Sequence, residues 1–293
     1  MPRLGSLAFV FFLVCPALAA GQAPVRGPGS SASAKATADK SDPGKQFRVC
    51  ADPNNLPFSN QQMQGLENRI ASLLAKDFGV AAPTYVWWGQ RQGFIRNTMN
   101  ATLEEGRCDI VMGVPVGYDL VRPTAPYYRS TYVFIYPHGR TPITSLDDPV
   151  LKKLKIGVHL LGNDYENPPP VHELGKRHIV DNVVGFNTFY SAENPPSAIV
   201  DAVAAGKIDV AIVWGPVGGY YAARQKTPLQ VTPIPSKPGD LPFAFDIAMG
   251  VKKGNDALHA RVQQALTQHK VEIEQILKEF NVPLLERKAS TAR

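Results

Sequence analysis

The chain has 293 residues, 44% hydrophobic and 19% charged, with 26 Pro, 24 Gly and 3 Cys, a globular composition that excludes fibrous, fully disordered and disulfide-stapled scaffolds. At roughly 150 residues per domain, that length predicts one long domain or two modest lobes, each able to bury a core. The formal net charge is +6, of which Arg3 supplies one and residues 20–46 two (Arg26, Lys35, Lys40 and Lys45 against Asp39 and Asp42), and the remaining +3 is too small and scattered for a nucleic-acid footprint.

Residues 1–20, MPRLGSLAFVFFLVCPALAA, carry one positive charge, an apolar run from Leu7 to Cys15, a break at Pro16 and Ala17 and Ala19 in small-x-small spacing. This predicts a secretory signal peptide over 1–19, since the apolar run falls short of the roughly 20 residues that cross a bilayer. No later stretch reaches that length, so the mature chain is expected to be periplasmic or extracellular, without stable membrane insertion. Residues 20–46 are rich in Gly, Pro, Ser, Ala and Lys and contain no aromatic before the body begins at Phe47; they predict a disordered spacer. Export leaves Cys50 and Cys108 in an oxidising compartment, where a disulfide is the default and two buried thiols the alternative.

From Phe47 onward, short apolar runs alternate with helical periods, the pattern of strand–helix–strand units and parallel sheets. Strands are predicted at 47–51, 85–88, 108–114 and 131–136. A helix carries Leu66, Ile70, Leu73, Leu74 and Phe78 up to Gly79, and a second runs from Phe94 to Gly106. The pattern then repeats with strands at 155–158, 183–186, 208–214, 229–232 and 245–251. Helices are predicted from Pro170 to Lys176, Pro195 to Ala205 and Gly215 to Arg224, and one long amphipathic helix from Asp256 to Phe280. Two lobes joined by two crossings fit this order better than one continuous sheet, with 47–137 plus 243–293 as lobe 1 and 138–242 as lobe 2.

The sequence lacks a GxxxxGK[ST] phosphate loop, a GxSxG elbow, an HExxH pair, a CxxCH haem site and a CxxC pair. No nucleophile has an evident base, and the six His are scattered, so neither an enzyme nor a metal centre is indicated. What stands out is a set of polar and aromatic segments that follow buried strands: ADPNNLPFSN (51–60), GVPVGYDLVRPTAPYYRSTYVF (113–134), GVHLLGNDYENPPP (157–170) and VWGPVGGYYA (213–222). In open α/β sheets ligands bind beyond the carboxyl ends of strands. Any one of these segments reads equally as a structural turn; together they predict a cleft between lobes.

The order of these segments, with GLENRIASLLA, CDIVMGVP, KKLKIGVH, GKIDVAIVWGP and IAMGVKKGNDAL, resembles the type II periplasmic solute-binding fold of the amino-acid-binding family 3, from Phe47 to Leu285. CADPNNLPFSN, RQGFIRNTMN, CDIVMGVPVGYD, YYRSTYVF and GNDYENPPPVHELGKRHIVDNVVGF are similar to the MoxJ and XoxJ type homologues encoded beside PQQ-dependent methanol dehydrogenases. The resemblance implies an α/β, two-lobed fold with a central cleft and two hinge crossings. The chain also departs from the amino-acid binders. Gly117, Tyr118 and Asp119 stand where their carboxylate-gripping Arg falls, Arg122 lies against Pro123, and Trp214 resembles the position of their amine-holding Asp. Such a cleft suits an apolar, flat or proteinaceous guest over a zwitterion.

The resemblance therefore implies a non-enzymatic accessory protein that binds a PQQ-dependent methanol or alcohol dehydrogenase and assists its maturation or activation. Phe58, Tyr118, Tyr127, Tyr128 and Trp214 are the expected aromatic anchors, with Asn54, Asp119 and Asp164 as orienting polar groups; the plainer reading has these side chains packing the lobes together. A second reading is the solute-binding subunit of an ABC importer for a small non-amino-acid ligand, closing on its guest. A third, borrowed from dehydratases on this fold, lacks the carboxylate clamp it needs. Delivery of PQQ or a metal ion has no motif behind it, so no cofactor is expected.

Overall fold

The computed structural model describes residues 47–91, 93–103, 107–160 and 167–286. The predicted signal peptide (1–19), the spacer (20–46) and Asp164 lie outside these residues.

In chain order the first elements are β1 (Arg48–Ala51), β2 (Asn54–Asn55), β3 (Ser59–Asn60), α1 (Leu66–Ala75), β4 (Thr84–Trp87), α2 (Phe94–Asn97), β5 (Ile110–Pro115), β6 (Arg122–Pro123) and β7 (Tyr128–Pro137). There follow β8 (Ile156–Leu160), α3 (Pro169–Lys176), β9 (Val183–Asn187), α4 (Ala198–Ala204), β10 (Val210–Trp214), α5 (Gly215–Ala222), β11 (Leu229–Pro233), β12 (Ala244–Val251), α6 (Asp256–Gln268) and α7 (Lys270–Glu279).

The parallel pairing that alternating strands and helices predict is present in two places: β4–β1–β5 and β10–β8–β9. Between them run β12 and β7, antiparallel to each other and to their outer neighbours. The ladder is continuous in the order β4-β1-β5-β12-β7-β10-β8-β9, with β6 on β12 and β11 on β7. The two halves meet in one ladder. The reason is the length of β7: its first residues, Tyr128–Thr131, pair with Ile247–Ala244 of β12, and its later ones, Tyr132–Ile135, with Trp214–Ala211 of β10.

Alternation along the strands sends successive side chains to opposite faces, so each half of the sheet carries two cores. In the first half Val49, Ile110 and Met112 face α1, α6 and α7, while Cys50, Val111 and Val114 face Ile95 and Met99, from α2 and just beyond it. In the second half Phe134, Ile156, Val158 and Ile212 meet Leu174 of α3, and Val133, Ile135, Ala211 and Val213 meet Ile199 and Val203 of α4 and Val217 of α5. The Cys50–Cys108 disulfide, Cα to Cα 5.2 Å, ties β1 to the residue pair before β5.

Two helices depart from the periodicity. The predicted Asp256–Phe280 helix is broken at His269, which leaves helical geometry (φ −98°, ψ 21°); its Nε2 lies 2.9 Å from Asp77 Oδ2. The bend lets Leu266 of α6 and Ile273 and Leu277 of α7 reach the same core. The predicted Phe94–Gly106 helix stops at Asn97, because Thr98 adopts non-helical dihedrals and its hydroxyl turns back to donate to the Phe94 carbonyl at 2.7 Å. Residues 104–106 lie outside the described residues.

Candidate functional site

The carboxyl ends of β1, β8, β9 and β10 face a junction lined by aromatic rings from both halves. Tyr132 stands edge-on to Trp214 at 5.3 Å, and Trp214 edge-on to Phe245 of β12 at 5.9 Å. Tyr190, just beyond β9, faces the His159 ring at 6.3 Å. Phe58, from the loop after β2, packs against cores of both halves. The Tyr221 hydroxyl donates across the same junction to the Leu56 carbonyl at 3.2 Å. The junction is thus walled by aromatic side chains and joined by a side chain-to-backbone hydrogen bond.

Beneath it lies Asp52, 5% exposed. Its Oδ1 accepts from the Asn54 backbone N–H at 2.8 Å and its Oδ2 from that of Gln90 at 2.5 Å, while its own carbonyl accepts from the Ser59 hydroxyl at 2.8 Å. Burial pushes the Asp52 carboxyl above the usual range, partly offset by the two backbone N–H groups and by Arg91. Burial, then the charges of Asp52 and Tyr132, hold the Tyr190 hydroxyl well above its ordinary value. Burial alone pushes His159 down to about 4, so the imidazole is neutral at pH 7. This end of the junction carries neutral hydrogen-bonding groups and one enclosed acid.

The sequence-selected residues divide among different places. Phe58 and Trp214 belong to the aromatic junction, and Asn54 is exposed beside it while its backbone holds Asp52. Tyr118 packs instead on the cluster around the disulfide, with exposed Asp119 next to it; burial and then Asp119 raise its hydroxyl. Tyr128, 3% exposed, is a core residue of the first half, and Tyr127 meets it edge-on at 4.9 Å. Both lie at the start of β7, where α6 and α7 pack against the same core. Sequence reasoning passed over Asp52, Tyr132, His159, Tyr190 and Tyr221. Asp52 and Tyr132 stand inside segments already singled out, and Tyr190 follows β9 by the same strand-end rule.

Among the described residues no three His, Cys, Asp or Glu side chains converge as a metal site, and no helix is long and apolar enough to cross a membrane. Surface pockets of about 210 and 310 Å³ lie away from the junction, between the start of β7, α6 and α7, and share Tyr127 and Lys270.

No protein-family profile matches the chain. Protein MoxJ of Methylorubrum extorquens is 35% identical over 282 residues, covering 92% of this chain and 91% of the relative. The crystal structure of periplasmic binding protein XoxJ from Methylobacterium extorquens superposes with a TM-score of 0.67 at 32% identity, over 82% of this chain and 100% of that one. That of MxaJ from Methlophaga aminisulfidivorans gives 0.68 at 27% identity, again over 82% and 100%. The type II periplasmic binding-protein fold expected from the sequence is the fold observed. The chain belongs to the MoxJ family.

Proposed function

From membership of the MoxJ family, we propose that this chain acts without catalysis in the periplasm, as an accessory protein that binds a PQQ-dependent methanol or alcohol dehydrogenase and assists its maturation or activation. PQQ enters this reading as the dehydrogenase's own group. The signal peptide over 1–19 delivers the chain to that compartment, and 47–137 with 243–293 and 138–242 form the two lobes of the binding body. The observation that carries the reading is the make-up of the junction. Phe58, Tyr132, Trp214 and Tyr221 supply aromatic surface, and Trp214 stands where an amino-acid binder needs an acid. Aromatic groups of this kind anchor protein surfaces, whereas a zwitterion requires two opposite charges.

The test is a titration of the mature chain with its cognate dehydrogenase, followed by sedimentation or calorimetry. A saturable complex is expected, and Trp214→Ala should weaken it by roughly tenfold or more, as loss of an aromatic anchor does. Absence of a complex, together with a saturable rise in melting temperature on adding small solutes, would replace this reading with solute capture for an importer. The mass of the exported chain checks the predicted cut after Ala19.

A further inference from the structure

Beyond α7 the chain runs against the other half of the sheet. α7 belongs to the core of the first half and ends in a left-handed turn. Asn281 adopts φ +55°, its N–H donates to the Lys278 carbonyl at 2.9 Å, and that of Val282 donates to the Leu277 carbonyl at 3.0 Å. This pairing closes a helix and sends the chain off at an angle, and Pro283 bars a return to helix. Residues 281–285 then cross β7 just before the step from Thr131 to Tyr132, where the strand leaves β12 for β10. The Ser130 hydroxyl, 0% exposed, donates to the Pro283 carbonyl at 2.7 Å, and the Leu285 N–H donates to the Arg129 carbonyl at 3.0 Å.

The same residues lie on α5 of the second half, and glycine makes that contact possible. A Cβ on Gly219 would stand 2.0 Å from the Asn281 carbonyl oxygen and 3.2 Å from Pro283 Cδ, and one on Gly215 would stand 3.3 Å from Pro283 Cγ. These two positions are one helical turn apart and share a face. Next to it Tyr220 of α5 stacks on Phe280, 5.5 Å between ring centres at 16°. Arg224 covers the tyrosine from its own half, 3.5 Å from the ring centre. Arg69 of α1 covers the phenylalanine from the first half at 5.7 Å, and pairs with Glu279 at 2.5 Å. The four groups form one column, two layers from each half. Beside it a hollow of about 420 Å³ lies between Ala222, Leu229 and Val231 of the second half and Lys278 and Val282. The column and the glycine face thus hold this contact along one side of an open space.

We propose that residues 281–285 form a strap that clasps the two halves at their pivot, a third connection beside β7 and the stretch before β12, with the Tyr220–Phe280 stack as its catch. Torsion about β7 carries α5 past the strap, because β10, which leads into α5, is paired to the later residues of β7. Contacts nearest the pivot, at Ser130 and Gly215, move least and persist. The stack, five residues further along α5 than Gly215, must slide. α5 begins at the residue after Trp214, so a guest that shifts the Trp214 ring bears directly on the helix that the strap holds. The clasp keeps one angle between the halves until a guest's contacts at the junction outweigh the stack. It acts in this way for a protein guest or a small solute, and the proposal stands apart from the dehydrogenase reading.

The experiment measures the distance between spin labels at the exposed positions Lys207 of the second half and Lys253 of the first, introduced as Lys207→Cys and Lys253→Cys in the exported chain, where Cys50 and Cys108 are closed in the disulfide. The labelled parent should give one narrow distribution. Tyr220→Leu, which keeps apolar bulk and loses the stack, should broaden it, and so should Ser130→Ala. Tyr220→Phe keeps the stack and should leave the distribution narrow. Equally narrow distributions in all four proteins would overturn the proposal, even if the variants melt at lower temperature. So would a broad distribution in the parent, or one in Tyr220→Phe as broad as that of Tyr220→Leu.

Discussion

Glu67 and Glu173 are carboxyls in opposite halves of the sheet, the first half-buried and the second fully enclosed, and their surroundings drive them to opposite states. Glu173, 0% exposed, accepts from Lys176 Nζ at 2.6 Å, from Arg177 Nη1 at 2.7 Å and from the Leu241 backbone N–H at 2.9 Å. Burial alone would raise it, but Lys176, the Leu241 N–H and Arg177 outweigh that and hold the carboxyl down at about 2. Glu67 has only its burial, and stands at about 8 against an ordinary 4.5. One acid thus stitches α3 to the Pro-rich crossing before β12, while the other keeps its proton. Charge on a buried side chain follows from partners more than from residue type.

The contrast breaks most sharply at Arg177, which also reaches Asp240 at 2.9 Å and Asp147 at 2.6 Å. Arg177→Met leaves Glu173 enclosed and short of its main cation, so urea unfolding at pH 7 should show a loss of about 3–5 kcal/mol. A loss of surface-pair size, below about 1 kcal/mol, would mean that Lys176 alone sustains the acid.

The pH dependence sharpens it next. Glu67 is held above its unfolded value, so its contribution is fully present below about 4.5 and is lost as pH rises towards 8. Glu173 is held below, so its contribution is present above 4.5 and is lost as pH falls towards 2. Glu67→Gln should flatten the alkaline limb of the stability profile and leave the acid limb intact. Glu173→Gln should do the reverse; identical profiles for the two variants would refute the contrast.

Smaller effects follow. Gly113→Ala places a methyl against Glu67 Oε1 at positive φ, and should cost about 1–3 kcal/mol in thermal unfolding, with Glu67→Gln unable to restore the backbone part. Lys237→Ala removes an exposed partner of Asp147, and its effect should be under about 1 kcal/mol by the same measurement.

Much of this architecture was legible in the residues. Apolar runs located the long strands, and export chemistry identified the Cys50–Cys108 pair. Trp214 and Phe58 were picked out as strand-end aromatics, and both rings lie at the junction. The limits were contacts between distant segments. Nothing local announces that Asp52 and Tyr190 interact across the junction, or that Tyr127 and Tyr128 would be covered by helices more than a hundred residues later. The break at His269 depends on Asp77, 192 residues away. Periodicity alone reads straight through it, since both helical pieces keep an apolar face. Thr98 is a local signal that was available, because a hydroxyl that can bond the carbonyl four residues back competes with the helix ladder.

The double membership of β7 also sets the mechanics of the molecule. A strand hydrogen-bonded to β12 along its first residues and to β10 and β11 along the rest is no slack tether. Bending it would rupture backbone ladders on either side, whereas twist about its axis preserves them. Torsion about β7 is therefore the relative motion of the halves that would cost the fewest backbone hydrogen bonds. Amide exchange should report the rigidity of β7 directly, slow along Val133–Ile135 and fast at Ser236 and Gly239 in the irregular crossing.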